Sequence, residues 1–315
     1  MKSAQISKYG GSEVVEINQN TSLPSNPSLG KVLVTIKAAG VNPSDFKFRE
    51  GFFQQIMPLQ FPSTLGWDFS GVIEKVGEGV SNVKPGDEVY GQAAEITGGS
   101  GAFAEQALAT AESLSLKPSA LSYQEAAGLP TVGVSAWQAI VETIGLKKDQ
   151  KILIHGGAGG IGSIAIQLAK SLGAYVATTA SLDDKQFVKD LGADEIIDYK
   201  TQSFEDLLHD YDAVLDTVGG ETYRKSFKVL KEGSGIIVSK LEQPDQELMK
   251  TFGVRALFEP TQVSTNRLRE LTQWVNDNHI RVNVDKMFEL KETAKALEYQ
   301  KDAHPRGKVV ISMQQ

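Results

Sequence analysis

Six consecutive residues, Gly157-Ala158-Gly159-Gly160-Ile161-Gly162, satisfy the pattern G-x-G-x-x-G. They follow an apolar, strand-like run, Lys151 to His155, and precede Ile161, Ile164, Ala165, Leu168, Ala169 and Leu172 at helical spacing, with Gly173 where a helix C-cap belongs. Between a strand and a helix this pattern binds the pyrophosphate of a dinucleotide. Gly157 then permits the tight turn, Gly159 leaves room for the phosphates, and Gly162 lets the helix pack on the strand. The unpaired N–H groups of the helix N-terminus face the anion. Outside that setting the same residues make only a glycine-rich turn.

The next place to look lies about 20 residues further on, where an NAD enzyme carries Asp or Glu for the ribose hydroxyls. Here the chain reads Thr178-Thr179-Ala180-Ser181, and the first carboxylates, Asp183 and Asp184, are followed by Lys185. A hydroxyl and a lysine suit the 2′-phosphate of NADP(H), which a carboxylate would repel. A second reading makes Ser181 a helix N-cap, Asp184 its capping-box partner and Lys185 a solvated charge. The two readings are compatible.

The elements that must hold these residues are bounded by composition. The chain has 315 residues, 41% of them hydrophobic and 23% charged, as expected of a globular protein with two domains. A net charge of -7 argues against nucleic acid or an anionic membrane as partner. No cysteine is present, so disulfides, thiolate nucleophiles and cysteine-held zinc or iron–sulfur sites are excluded. The histidines, at 155, 209, 279 and 304, show no close ligand spacing, and no metal is expected. The opening MKSAQISKYG has no apolar run, and no segment approaches the roughly 18 apolar residues of a membrane span. The reading is a cytoplasmic protein.

From Lys2 to about residue 120 short strands alternate with Gly and Pro punctuation, including Lys31 to Val41, Gly71 to Val76 and Asp87 to Gly91, which suggests a barrel. Beyond about residue 121 strands alternate with helices. The strand runs are Lys151 to His155, Tyr175 to Thr179, Glu195 to Asp198, Ala213 to Thr217 and Gly235 to Val238. That alternation predicts a doubly wound parallel sheet. After about residue 260 come a helix carrying Leu268, Leu271, Trp274 and Val275, a last helix, and a strand from Lys308 to Ile311. The tail is expected to return to the first domain, giving an α/β protein with residues 1–120 and 260–315 in one domain and 121–259 in the other.

The motifs together resemble the medium-chain dehydrogenase/reductase superfamily, in its zinc-free quinone oxidoreductase and alkenal/enone reductase branch. The resemblance rests on Ala39-Gly40-Val41-Asn42-Pro43-Ser44-Asp45, Leu65-Gly66-Trp67-Asp68-Phe69-Ser70-Gly71, Lys84-Pro85-Gly86-Asp87, the glycine loop, and Arg306-Gly307-Lys308-Val309-Val310. It implies a GroES-like β-barrel catalytic domain, a Rossmann domain that binds NADP(H), and hydride transfer to a quinone or conjugated carbonyl compound in the cleft between them. Zinc-dependent members place a cysteine near Asn42 and a His-Glu pair after the glycine matching Gly66, where this chain has Trp67 and Asp68.

The resemblance also assigns roles. Asn42 and Lys47 would touch the cofactor from the catalytic domain, and Thr131 would approach the nicotinamide. Ser181, Lys185 and Tyr199 would grip the 2′-phosphate, and Ser239 would border the nicotinamide. The plainer readings are that Asn42 is a turn residue before Pro43, Lys47 a surface charge and Tyr199 a packed ring. Several relatives carry tyrosine where this chain has Phe46, which leaves the proton donor open. Trp67, Phe46 and Phe258 are candidates for flat apolar walls. A homodimer is expected from the resemblance and from the strand-like stretch Thr251 to Phe258. The competing reading from another class is an NADP(H)-binding redox sensor or structural protein with little turnover.

Overall fold

The computed structural model describes residues 1–22, 26–278 and 280–313. The chain divides into two compact units, Met1–Thr131 with Val263–Gln315, and Val132–Gln262.

The first unit is organised around the strand Lys31–Val41, rich in β-branched residues and buried on both faces over most of its length. Along one side it pairs antiparallel with Asp68–Val76. Along the other, its first half pairs with Gln106–Thr110 and its last residues with Lys308–Ser312. Val284–Glu289 extends the sheet beyond Lys308–Ser312, and Glu88–Gln92 and Leu114–Leu116 extend it beyond Asp68–Val76. The core of this unit gathers Val34, Ile36, Phe69, Ile73, Phe103, Leu114 and Ile311. Gly40 lets the strand pass close to the helix Tyr123–Ala127, because a Cβ there would lie 2.3 Å from the carbonyl oxygen of Ala127. The strand then hands over to the helix Pro43–Arg49. Asn42 is its extended N-cap residue (φ -125°) and Pro43 its first helical residue.

In the second unit we number the strands β1 (Lys151–Ile154), β2 (Tyr175–Ala180), β3 (Glu195–Asp198), β4 (Ala213–Asp216), β5 (Ile236–Ser239) and β6 (Arg255–Phe258). All pair in parallel in the order 3-2-1-4-5-6, the doubly wound arrangement of dinucleotide-binding domains. The two units are thus a GroES-like domain and a Rossmann domain, as the sequence implies.

Three elements differ from the sequence reading. Thr251 to Phe258 is not one strand: the helix Gln246–Phe252 ends on Gly253 in the left-handed region (φ 64°), and only Arg255–Phe258 is extended, at the sheet edge. Val284–Glu289 is a strand although only one of its residues is buried and its polarity does not alternate, because pairing with Lys308–Ser312 holds it extended. The helix Pro130–Trp137, continued in π-helical turns through Gln138–Ile144, also carries no clear helical period.

The helix Gly160–Ser171 packs tightly against the turn that precedes it. A Cβ on Gly162 would stand 2.2 Å from the carbonyl oxygen of Gly156, whereas one on Gly159 meets nothing nearer than 3.4 Å. Gly162→Ala is therefore expected to cost about 1–3 kcal/mol, read as a lower urea midpoint, while Gly159→Ala moves the midpoint little.

Candidate functional site

The loop after β1 is shaped by hydroxyls from neighbouring strands. Thr178 donates to the carbonyl of Ile154 (2.7 Å), Thr217 donates to the carbonyl of His155 (2.8 Å), and the Gly156 N–H donates to Thr179 Oγ1 (3.1 Å). The turn itself falls at Gly156 (φ 67°), one residue earlier than the sequence reading had it. Gly157 is required for a different reason: its Cβ would come 2.1 Å from Thr178 Oγ1. Ala158 bridges to Gly159, the N-cap of the helix, which has no side chain to cap the N–H groups of Gly160, Ile161 and Gly162. That leaves a donor-rich helix start with space around Gly159, the features a pyrophosphate needs.

His155 beneath this loop is fully buried, with its ring nitrogens beside Thr179 Oγ1 (3.1 Å) and Ser226 Oγ (2.9 Å). Burial pushes its pKa down to about 4, so the ring is neutral and structural. His209 and His304 are exposed, and His279 lies outside the described residues. Among the described residues no group of three or more His, Asp or Glu side chains is arranged to hold a metal ion.

At the C-terminal ends of β2 and β3 lies a pocket of about 250 Å³, lined by Ser181, Leu182, Lys185, Asp198, Thr201 and Gln202 among others. It brings together two of the predicted residues, Ser181 and Lys185. The Ser181 hydroxyl donates to the Asp184 carboxylate (2.5 Å) and accepts no helix N–H, so the side-chain capping expected as the second reading of Ser181 is not formed. Asp198 is engaged by the Lys200 N–H and the Thr201 hydroxyl. Tyr199 is joined to the same region by its backbone N–H, which reaches the carbonyl of Ala180, while the residue itself is 59% exposed. Ser239 ends β5 with its hydroxyl donating to buried Asp216 (2.7 Å) and accepting from the N–H groups of Leu241 and Glu242. Next to it the ammonium of Lys240 and the carboxylate of Glu259 form a largely buried ion pair (2.5 Å).

In the first unit a buried polar cluster collects Asn42 and Thr131. Asp68 accepts from the Asn42 amide (2.9 Å), the Gln92 amide (3.1 Å), and the N–H and hydroxyl of Thr131 (3.0 and 2.7 Å). Lys308 donates to Asn42 Oδ1 (2.5 Å) and to the carbonyl of Val41 (2.7 Å). Both valences of the Asn42 amide are thereby used, which fixes its orientation. The Asn42 N–H also donates to Asp45 Oδ2 (2.6 Å). Burial raises Asp45 from 3.8 to about 8, and burial lowers Lys308. Lys47, on the same helix, is half-buried with its ammonium 5.8 Å from the centre of the Phe52 ring.

Three of these residues, Asp68, Gln92 and Lys308, were not assigned roles from the sequence. The available signal was a charged side chain inside a strand: Asp68 begins Asp68–Val76 and Lys308 begins Lys308–Ser312, both within otherwise apolar runs. Trp67 is half-buried and tilted against Phe48, ring centres 5.5 Å apart. Phe46 is half-buried below the Lys301 ammonium, and Phe258 stands partly exposed on the edge strand.

Comparison with known proteins places this geometry. Residues 28–119 match the alcohol dehydrogenase GroES-like domain, and residues 191–311 match the zinc-binding dehydrogenase family. The mitochondrial NAD(P)H oxidoreductase RTN4IP1 of Danio rerio is 33% identical over 98% of this chain and 90% of its own length. The chain belongs to the medium-chain dehydrogenase/reductase superfamily. Within it the similarity is to quinone and alkenal oxidoreductases. The chloroplastic NADPH-dependent alkenal/one oxidoreductase of Arabidopsis thaliana is 34% identical over 99% of this chain and 79% of its own length. The quinone oxidoreductase of Coxiella burnetii superposes with a TM-score of 0.89 at 34% identity, covering 100% of this chain and 99% of that one. This chain is an oxidoreductase of that group. Its lack of cysteine sets it apart from members that hold zinc through thiolates.

The buried Asp45 gives the cluster a pH signature. In the unfolded chain Asp45 ionises near 3.8 and in the folded chain near 8. Between those values the folded state holds the extra proton, so this contribution is fully present below 3.8 and is lost as pH rises towards 8. Asp45→Asn should become progressively more stable relative to the parent chain across that window, as read from urea midpoints at the two ends.

Proposed function

We propose that the protein is an NADPH-dependent reductase of quinones and α,β-unsaturated carbonyl compounds that uses no metal. The observation that carries this reading is the pairing, in one Rossmann sheet, of an uncapped helix start at Gly159 with a pocket at the ends of β2 and β3 that holds Ser181 and Lys185, its one lining carboxylate, Asp198, being tied to the Lys200 N–H and the Thr201 hydroxyl. The helix start suits a pyrophosphate, and the pocket suits a further phosphate on the adenosine ribose. Two relatives named above are described by NAD(P)H or NADPH, and two by quinone or alkenal substrates.

In this reading Gly157, Ala158, Gly159, Gly160, Ile161 and Gly162 receive the pyrophosphate, and Ser181, Lys185 and Tyr199 the 2′-phosphate. Ser239 borders the nicotinamide through its backbone, since its hydroxyl is held by Asp216. Asn42, Lys47 and Thr131 orient the reacting end. Asn42 and Thr131 are suited to that task because Asp68 and Lys308 already lock their side chains, so little freedom is lost on binding. Bound NADPH supplies the hydride. The protein's contribution is then mainly orientation and exclusion of water, because a conjugated acceptor delocalises the charge that develops. The reading extends to a homodimer formed through the edge strand Arg255–Phe258, which sedimentation at micromolar concentration would detect.

One series of measurements tests the reading. NADPH oxidation is followed with quinones, alkenals and cyclic enones, with and without exhaustive chelation. Steady turnover that survives chelation is expected; NADPH binding without turnover on any acceptor would favour the redox-sensor reading. In the same series Lys185→Ala should weaken NADPH binding by roughly tenfold to a hundredfold, the equivalent of about 1.5–3 kcal/mol for a charge-assisted bond, and leave NADH binding unchanged. An unaltered NADPH-to-NADH ratio would remove Lys185 from the site.

A further inference from the structure

Beneath the glycine loop the two ring nitrogens of His155 meet two hydroxyls. Nδ1 lies 3.1 Å from Thr179 Oγ1, and Nε2 lies 2.9 Å from Ser226 Oγ. The ring is fully inaccessible, and Phe204 packs against it edge to face with ring centres 4.6 Å apart. Which nitrogen carries the proton follows from the hydroxyl hydrogens, because each hydroxyl has one to donate.

At one end the Ser226 hydroxyl donates to the carbonyl of Thr222 (2.6 Å). Its hydrogen is committed there, so towards the ring Ser226 can only accept, and Nε2 must carry the proton. At the other end Thr179 Oγ1 accepts the Gly156 N–H (3.1 Å), and its own hydrogen has His155 Nδ1 as acceptor. Were Nδ1 protonated, that hydrogen would be buried without a partner, which is costly. A charged ring would donate from both nitrogens and strand the Thr179 hydrogen in the same way. The two carboxylates that act on the ring are engaged elsewhere. Asp216 takes the N–H groups of Val218 and Gly219 and the Ser239 hydroxyl, and Glu205 pairs with Lys225 (2.7 Å). Burial outweighs the pull of both and favours the uncharged ring. Both ends of the arrangement therefore select one neutral tautomer.

A directional chain results, from the Gly156 N–H to Thr179, from the Thr179 hydroxyl to His155 Nδ1, from Nε2–H to Ser226, and from the Ser226 hydroxyl to the carbonyl of Thr222. It joins the left-handed turn at Gly156 (φ 67°) to the helix Gly220–Ser226. The same turn is gripped on both sides by backbone bonds: the Thr179 carbonyl accepts the Gly157 N–H (3.0 Å), and Thr217 donates to the His155 carbonyl. We propose that His155 is a positioning residue for the cofactor. As the Nε2–H tautomer it orients the Thr179 hydroxyl so that a lone pair faces Gly156, and so holds the turn that presents the helix start to a pyrophosphate. The proposal rests on the reading of the glycine loop as the pyrophosphate site. It differs from a packing role, which an apolar side chain of similar size would also fill.

The test combines a spectroscopic readout with a binding one. Nitrogen-15 NMR of the assigned His155 ring in the parent protein at neutral pH should show Nε2 protonated and Nδ1 bare. NADPH dissociation constants are then measured for His155→Leu, Thr179→Val, the double variant and Thr179→Ser. Loss of one neutral hydrogen bond predicts a dissociation constant about 2- to 10-fold higher in each of the first two. The double variant should bind no more weakly than Thr179→Val alone, because both changes break the same chain. Thr179→Ser, which restores the hydroxyl, should bind like the parent. A ring protonated on Nδ1, additive losses in the double variant, or variants that lose stability yet bind NADPH as the parent does would overturn the proposal. Should His155→Leu fail to fold, the ring tautomer of the parent and the contrast between Thr179→Val and Thr179→Ser decide. A parent protein that binds neither NADPH nor NADH would instead overturn the pyrophosphate reading, while the tautomer would still show whether the hydrogen-bond chain is formed.

Discussion

A single buried carboxylate organises the first unit. Asp68 is fully inaccessible and accepts hydrogen bonds from Asn42, Gln92 and Thr131. A charge in that position is tolerable only with such bonds and a counter-charge, which Lys308 provides from the far side of Asn42. The requirement ties together chain segments that share no local sequence: the end of Lys31–Val41, the start of Asp68–Val76, the end of Glu88–Gln92, the start of Pro130–Trp137 and the start of Lys308–Ser312. Removing one partner would leave a buried polar atom without its hydrogen bond, at a cost of about 1–3 kcal/mol. The cluster is consequently rigid, and rigidity is what a residue that orients a reacting group requires.

The second unit meets its equivalent demand with backbone and hydroxyls rather than charge. Its helix start must come close to β1 and β2, so Gly157 and Gly162 are needed for space and Gly156 for its left-handed backbone. The loop is held in place by Thr178, Thr179 and Thr217. Burial keeps His155 neutral, so it adds no charge beneath the glycine loop. With a net charge of -7 on the chain, attraction for an anion has to be local, and in the proposed reading the uncapped helix start and Lys185 would supply it.

How much of this was legible depended on the range of the interactions. The Rossmann unit was readable because its signals are local: an apolar run, a glycine loop and a helical period follow one another within about one βαβ unit, for which roughly 30 residues suffice. The β-rich unit was readable as a class through its short strands, and the absence of cysteine removed thiolate metal sites outright. Where a signal depended on a distant partner it failed. Val284–Glu289 is extended because Lys308–Ser312 pairs with it, and its own residues do not say so.

The sequence by itself determined the fold class and the glycine loop with its Ser181 and Lys185 neighbours, because residue type and spacing suffice for those, while the candidacy of Asn42 and Thr131 came from the family resemblance. Only the tertiary structure decided which groups lock Asn42 in place, that the left-handed turn falls on Gly156, and that Asp45 is a buried acid with one unpaired oxygen. The physical reason is the same in each case. Burial and hydrogen-bond satisfaction are properties of the whole packed domain, and residues such as Asp68 and Lys308, 240 positions apart by their numbers in the chain, meet only when it closes.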